Sequence, residues 1–484
     1  MPATTSRTGG IELHELSGAR PEDLDLLRRF YAECYEAAFP DPDERESLAN
    51  MESYLALKEK GWYGPNNYHI VIASKGDGIV GGSVCDYLAE PNAGVIEYLL
   101  VQPGFRGSGL GSGLLAMIED LCRADAAQVG GRELDWLVAE TEDPFRNAVP
   151  TEGFDPFTRA RVMDSLGFRI LDFDYVQPAL SAEQEPADNL LLIARAVASA
   201  REAISTEVVL GIVAEYMRWA MRIDRPEENK EFLQMAGALS GRGSIPLCDF
   251  GEYLGWDAEL RVVDVVDPHG TDLAAAITVY ESAYTERETA WPSDVFRTAV
   301  RDRSARAESG YQYHLWAIHY PADESCDGMA SFVTMPSAGF GGYLAFTPPL
   351  RSSGRLHRII ARIEEQMIRD NPDARGWYVE CGSDLSREIF SKAGFFGIDA
   401  GYEQPATSSS GSRTPPLPLP LLYKPFGRVH QPPTLARATF LRTITEIYWA
   451  VYAVDAATDP SFARLEDSLR DCETVMFKCP GEDD

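Results

Sequence analysis

The sequence predicts an α/β (α+β) chain built from two copies of one strand-and-helix domain. A helical connector separates the copies, and a helical extension follows the second. Three observations predict this. Ile96–Cys122 reads as a strand, a Pro-Gly break, a glycine-rich turn and an amphipathic helix. Adding 245 to those numbers lays the stretch on a second, weaker copy without a gap: Pro103 on Pro348, Arg106 on Arg351, Gly109 on Gly354. Apolar residues also repeat at helical spacing over 199–222 and 434–456, outside both copies.

The first domain spans residues 1–197. Ile11–Leu16 alternates as a strand, and Leu24, Leu27, Tyr31, Cys34 and Ala38 continue a helical stripe begun at Pro21. Asp41–Lys60 reads as a second helix. Tyr68–Ser74 and Ile79–Tyr87 read as strands joined through Lys75-Gly76-Asp77-Gly78, a hairpin signal. The 95–102 strand follows, and Leu110, Leu114, Leu115, Ile118 and Leu121 mark the helix after it. Leu134–Ala139 is a strand, Phe157–Leu166 a helix ending at Gly167, and Phe168–Asp174 and Leu190–Ala194 close the sheet. The connector, 198–258, is read as helices over Ser199–Arg222, Pro226–Leu239 and Phe250–Trp256.

The second domain, 259–425, repeats the pattern. Its strands are Leu260–Asp267, Tyr313–His319, Met329–Thr334, Gly342–Phe346 and one at Trp377; Ser383–Lys392 is a helix running into Gly394-Phe395. Pro405–Leu421 is expected to be a flexible and then polyproline-type insertion. The extension, 426–484, is read as two helices, Thr434–Ala456 and Pro460–Cys472. Its apolar face is expected to pack on the second half or on the partner subunit of a homodimer.

Composition narrows the function. Asp and Glu outnumber Lys and Arg by 75 to 44, for a net charge of −31. That argues against nucleic acid and against anionic membrane surfaces, and would draw a cationic substrate such as an amine. The eight cysteines are scattered without C-x-x-C pairs, so they read as reduced thiols of a cytoplasmic protein with no metal site. No apolar run approaches the ~18 residues of a membrane span, and the first ten residues lack a signal core.

The glycine-rich turn carries the chemistry. First-turn N–H groups of a helix have no intrahelical partner, and glycines let a phosphate reach them. The glycines at 107, 109, 111 and 113 fit neither the dinucleotide fingerprint nor a P-loop. Val101, Pro103, Arg106, Gly107, Gly109, Leu110, Gly111, Leu114 and Leu115 instead match V-x-P-x-x-R-G-x-G-[IL]-G-x-x-L-L. This resembles motif A of the GNAT acetyltransferase superfamily. The element order over residues 10–197 is that family's, and Gly167-Phe168 is similar to the "GF" that ends its last helix. The resemblance implies two GNAT-like domains, each a mixed, mostly antiparallel twisted sheet flanked by helices. It also implies acetyl-CoA, or another acyl-CoA, as co-substrate. Its pyrophosphate would lie on the backbone of Arg106, Gly107, Ser108, Gly109, Leu110 and Gly111. Its thioester carbonyl would meet the backbone of Leu99, Leu100 or Val101.

Acyl transfer to an amine needs an oxyanion donor and a base. The family often carries a glutamate on the strand before the turn, and Glu97 stands there. A carboxylate in Ile-Glu-Tyr-Leu-Leu is costly unless paired or functional. The family's tyrosine acid falls on Met163, which has no proton to give, so Tyr175 and Tyr98 are the substitutes. Within 140–161, Glu140, Glu142 and Asp143 could hold an ammonium, and Arg146, Arg159 and Arg161 a carboxylate or phosphate. Together they suit a polar, zwitterionic acceptor. In the second copy Gly107 becomes Ser352, Gly111 becomes Leu356 and Glu97 becomes Gly342, while Phe390 fills the tyrosine position. Arg351 and Gly354 remain of that loop, and this half is expected not to catalyse. The expected activity is transfer of an acetyl group from acetyl-CoA to a small-molecule amine by direct attack, in the first half. The alternatives are a non-catalytic acyl-CoA sensor or scaffold, a tandem enzyme with both halves active and, more remotely, a decarboxylase.

Overall fold

The structure is a computed structural model that describes residues 5–8, 10–39, 46–147, 154–179, 185–285, 291–322, 325–398, 400–409, 412–429 and 431–478. The chain forms two compact units. Unit 1 holds Met1–Glu142 and Ala160–Asp249; unit 2 holds Asp143–Arg159 and Phe250–Asp484. Residues 148–153 of the expected acceptor loop, and Cys479, lie outside the described residues.

Unit 1 is organised on ten strands: β1 (Thr5–Thr8), β2 (Ile11–Glu15), β3 (Asn67–Lys75), β4 (Gly78–Leu88), β5 (Ala93–Val101), β6 (Trp136–Glu142), β7 (Arg169–Leu171), β8 (Leu190–Ala196), β9 (Ala203–Ser205) and β10 (Ser244–Cys248). They form one sheet in the order β1-β2-β3-β4-β5-β6-β8-β7-β10-β9. The expected hairpin turn is Gly76-Asp77, where Gly76 takes φ 59°, a conformation that suits glycine. The helix Leu110–Gly130 buries Leu114, Leu115 and Ile118.

Two irregularities of β5 shape the site. β5 and β6 are the one parallel pair, and they pair only over Ala93–Ile96 and Trp136–Ala139. Beyond Ile96 the two strands part. On the other edge, Val84 of β4 faces Tyr98 while Cys85 faces Ile96, so Glu97 is the extra residue of a β-bulge.

Unit 2 repeats the plan with β11 (Arg261–Asp264), β12 (Gln312–His319), β13 (Cys326–Thr334), β14 (Gly339–Phe346), β15 (Gly376–Glu380), β16 (Phe396–Ile398), β17 (Thr407–Ser409), β18 (Ser412–Thr414), β19 (Leu421–Pro425), β20 (Thr434–Ala436) and β21 (Thr474–Lys478). Its sheet order, β11-β12-β13-β14-β15-β19-β16-β21-β20, matches that of unit 1 from β2 onward. The bulge recurs too, with Gly342 in the place of Glu97. The insertion expected to be polyproline-like instead contains the β17–β18 hairpin, paired from Thr407 to Thr414.

The connector and the extension are more than helices. Each is a strand-helix-helix-strand segment that completes its own sheet. In unit 1 it is β9, the helices Thr206–Trp219 and Lys230–Ala238, and β10. In unit 2 it is β20, the helices Arg437–Tyr452 and Pro460–Ser468, and β21. Thr206 and Arg437 are 231 residues apart, and Lys230 and Pro460 are 230 apart. Asn229 and Asp459 cap the second helix of each segment. Ile204, Val209, Ile212, Met217, Ile245 and Leu247 join the same core as Val95, Trp136 and Leu192. Short strands such as Ala-Ile-Ser carry little periodicity, which is why the sequence reading took these segments as helical.

Each unit also holds a buried histidine between two carboxylates. In unit 1, His69 Nδ1 lies 2.7 Å from Glu15 and Nε2 2.7 Å from Asp125. In unit 2, His314 lies 3.1 Å from both Asp264 and Asp370. His69 and Asp125 map to His314 and Asp370 at the same offset of 245. The triads tie β2 and β3, or β11 and β12, to the long helix. Burial disfavours the imidazolium of His314, but the hydrogen bonds and charges of Asp264 and Asp370 outweigh it and raise the group to about 9.

A histidine raised on folding adds stability below its ordinary value of 6.5, and that stability is lost as pH climbs through about 9. Thermal denaturation of wild type should therefore show the melting temperature falling between neutral pH and pH ~9.5. His314→Gln should cost about 3 kcal/mol at neutral pH and flatten that decline.

Candidate active site

The turn after β5 has the form of an anion cradle. A short 3-10 turn, Pro103–Phe105, leads into Gly107 at φ 75° and Gly109 at φ 84°. Nothing lies within 4 Å of where a Cβ would stand on either glycine. The helix Leu110–Gly130 starts at once, so its first-turn N–H groups face that open space. Arg106 donates from Nε to the Val101 carbonyl at 3.3 Å, and Arg351 likewise donates to the Phe346 carbonyl at 2.9 Å. The arginine thus closes the turn onto the strand end in both units.

Unit 2 keeps the bend and alters the helix start. Gly354 holds φ 74°, but the counterpart of Leu110 is Arg355, which is 2.8 Å from Asp257 and donates to the Tyr320 hydroxyl at 2.9 Å. Leu356 then opens the helix where unit 1 has Gly111.

Leu99, Leu100 and Val101 lie where β5 has left β6. They pair with Ser83, Gly82 and Gly81 of β4 on one edge, and β6 does not cover the other. This is the backbone edge the sequence reading assigned to the thioester carbonyl.

Glu97 projects from the bulge and is hydrogen-bonded to Asp86 of β4. Asp86 is 3 % exposed. Two carboxyls this close cannot both ionise cheaply. Burial raises Glu97 far above the carboxylate range, and the charge and hydrogen bond of Asp86 raise it further, with Glu46 and Glu140 adding to the effect. Burial lifts Asp86 to about 6, against the hydrogen bond from Glu97 and the pull of His69 and Arg222. The pair therefore holds one proton between them near neutral pH, with Glu97 donating to Asp86.

Other groups face this pair. Glu140 on β6 accepts hydrogen bonds from the Tyr175 hydroxyl and from Gln177, the latter at 2.7 Å. Burial carries Glu140 to about 7 despite both bonds. Tyr175 itself is pushed well above its ordinary value, by burial and by Glu140. It serves as a fixed donor to Glu140 rather than as a free acid. Tyr216 is raised by burial and by the charges of Glu140 and Glu97. Aromatic rings form the walls: Tyr98 packs on Tyr35 at 4.9 Å and Phe39 at 5.0 Å, and Tyr68 packs on Tyr54 at 5.6 Å and Tyr63 at 6.1 Å.

The structure thus brings together Glu97, Tyr98, Glu140 and Tyr175. Glu142 ends β6 opposite Leu190, half-buried. Arg146 and Arg159 belong to unit 2 and not to the unit that holds Glu97. There Arg146 is 3.4 Å from Asp143 and donates to the Arg428 carbonyl at 3.3 Å, and Arg159 lies over the Phe154 ring at 5.8 Å. Asp143, also in unit 2, is buried and accepts from the Tyr253 hydroxyl at 2.9 Å. Sequence reasoning missed Asp86, Tyr68, Tyr216 and Arg222. Asp86 carried a signal: it is an acid inside the apolar run Val-Cys-Asp-Tyr-Leu, as Glu97 is in its own strand.

Among the described residues, no group of three or more His, Cys, Asp or Glu side chains could hold a metal ion, and no helix is long and apolar enough to cross a membrane.

Residues 24–149 match the model of the acetyltransferase (GNAT) family, so unit 1 carries a GNAT-family domain, an acyltransferase class. The match takes in β3 to β6, the Glu97 bulge and the glycine turn. A search among curated proteins found no match to the sequence. Solved structures similar to this chain include a tandem GNAT protein from the clavulanic acid biosynthesis pathway, at 13% identity over 87% of this chain and 99% of that one, TM-score 0.27. An acetyltransferase of the GNAT family from Staphylococcus aureus Mu50 is 17% identical over 38% of this chain and 98% of its own, TM-score 0.26. The ribosomal-protein-S18-alanine N-acetyltransferase from Escherichia coli is 13% identical over 41% and 97%, TM-score 0.25. Likenesses at these scores add no weight to the family match and the strand order.

The contrast between Gly111 and Leu356 yields a direct test. Gly111→Leu should weaken CoA binding by about 100-fold in a calorimetric titration, since a side chain then stands at the phosphate-facing helix start. Its melting temperature should stay within about 2 °C of wild type, because unit 2 folds with leucine there.

Proposed function

We propose that unit 1 is an N-acetyltransferase that moves the acetyl group of acetyl-CoA to the amine of a small molecule. The observation that carries this reading is the Asp86–Glu97 pair, set where β5 parts from β6 and one strand-end away from the glycine turn. In unit 2 the same register positions hold Val333 and Gly342. The proposed roles follow from that placement.

The acceptor's ammonium is drawn to the carboxyls and gives up a proton before or during attack. A cation beside the pair favours its ionised form, so the pair is poised to take that proton as the N–C bond forms. The carbonyl carbon becomes tetrahedral, and its oxygen charge is met by a backbone N–H at Leu99–Val101. The C–S bond then breaks and CoA leaves as thiolate. Tyr216 and Tyr98, both raised above their ordinary values by burial, stay protonated near neutral pH. Either is placed to protonate that thiolate, with Tyr175 committed to Glu140. No covalent enzyme intermediate is needed. Unit 2, without either acid and with an obstructed helix start, is proposed to bind no acyl-CoA productively.

Glu97→Gln should lower kcat/KM by about 10²–10⁴-fold in an assay of thiol release from acetyl-CoA with an amine panel. The wild-type rate should rise with pH, since burial and Asp86 hold Glu97 protonated at low pH. Asp86→Asn removes that like charge, so the midpoint of the rising limb should move to lower pH. A midpoint that stays in place would separate Glu97 from the rate-controlling base.

A further inference from the structure

Two hydrogen-bond donors beside the carboxyl pair have nothing to bond to. Tyr68 is 1 % exposed, and its hydroxyl has no hydrogen-bond partner. An orphaned buried hydroxyl costs about 1–3 kcal/mol. Tyr68 stands directly opposite Asp86 across β3 and β4, so the two share one face of the sheet. Unit 2 treats the equivalent tyrosine differently. Tyr313 stands opposite Val333, and its hydroxyl lies 3.1 Å from Ser331 Oγ. Ser331 occupies the register position of Val84. The unit with the carboxyl pair therefore leaves the tyrosine unsatisfied, and the unit without the pair supplies a partner.

The second donor is Arg222. Its guanidinium carbon lies 4.8 Å from the Tyr54 ring and 4.3 Å from the Trp62 ring. Rings on its faces leave the N–H fork at its edge available. Several carboxyls lie nearby, yet Arg222 makes no ion pair among the described residues; its neighbours Arg218 and Arg225 both do. Arg222 takes φ 57° at the end of its helix, and Ala453 takes φ 54° at the matching place in unit 2. The backbone bend thus belongs to the fold, and the arginine side chain belongs to unit 1 alone. Tyr54 joins the two donors, since Tyr68 packs on it at 5.6 Å. Arg222 and Trp62 are the exposed members of the cluster, where a ligand would enter.

We propose that the acceptor of unit 1 is a zwitterion, an amino-carboxylate whose ammonium meets Asp86 and Glu97 and whose carboxylate meets Arg222 and the Tyr68 hydroxyl. This rests on the acetyl-transfer reading and deepens it. The aromatic walls between the two poles suit an apolar body.

The test compares amines that differ in the carboxylate alone: phenylalanine with phenethylamine, and 4-aminobutyrate with butylamine and 1,4-diaminobutane. Thiol release from acetyl-CoA is followed for each. The amino acid of a series should show KM at least about tenfold below its decarboxylated partner. Arg222→Met, which keeps an apolar stem on the rings, should raise KM about tenfold or more for the amino acid and leave the plain amine within about twofold. Tyr68→Phe should raise the same KM severalfold with no loss of melting temperature. Preference for plain amines or the diamine, or an equal effect of Arg222→Met on both partners, overturns the proposal. Calorimetry of the amino acids with the full chain, without acetyl-CoA, separates the two readings. Binding that Arg222→Met abolishes, with no thiol release from any amine, upholds the zwitterion site and sinks acetyl transfer. Absence of both binding and turnover overturns both.

Discussion

The site of unit 1 depends on one local constraint, the extra residue in β5. A regular strand would alternate Glu97 away from the face that carries its neighbours. The bulge against Val84 and Cys85 re-aims it toward Asp86. The same stretch of β5 has already lost β6 as a partner, which frees a backbone edge beside the carboxyl. A bent strand thus supplies an acid pair, an uncovered run of backbone and, one turn later, a helix start. Burial then does the electrostatic work. Two carboxyls in contact and shielded from water share a proton instead of ionising independently.

The duplication serves as an internal control. Both units keep the bulge, the parted strands, the arginine that closes the turn, and the carboxylate–histidine–carboxylate triad. They also share an ion pair from the long helix: Glu119 with Arg195 at 2.9 Å in unit 1, and Glu364 with Lys424 in unit 2. These features belong to the fold. What unit 1 has alone is Asp86, Glu97, Gly111, Arg222 and an unsatisfied Tyr68. Chemistry is assigned on that difference, because a feature needed only for folding would be expected in both.

The glycine turn, the strand before it and the offset of 245 were legible in the sequence because each is a local pattern. The same offset also reaches His69 and His314, although neither was read as structural from its own surroundings. Asp86 was legible by the reasoning applied to Glu97, an acid within an apolar strand. The strands β9, β10, β20 and β21 were not, since three to five residues give no usable period and their pairing is set by distant partners. Neither was the division of the 140–161 loop. Glu140 and Arg146 are six residues apart in sequence, and nothing local says that the chain passes into unit 2 at Asp143. Arg222 was illegible for a similar reason: its stacking on Tyr54 and Trp62 is a contact across more than 150 residues.

The central claim is that Asp86 and Glu97 act as one proton-sharing pair near neutral pH. Carbon-13 NMR titration of the labelled carboxyls, with Asp86→Asn and Glu97→Gln to assign them, measures this directly. The account predicts that one of the two carboxyls still carries a proton at pH 7, and that each single variant returns the survivor toward the ordinary range near 4. Two independent titrations near 4 in wild type would contradict it.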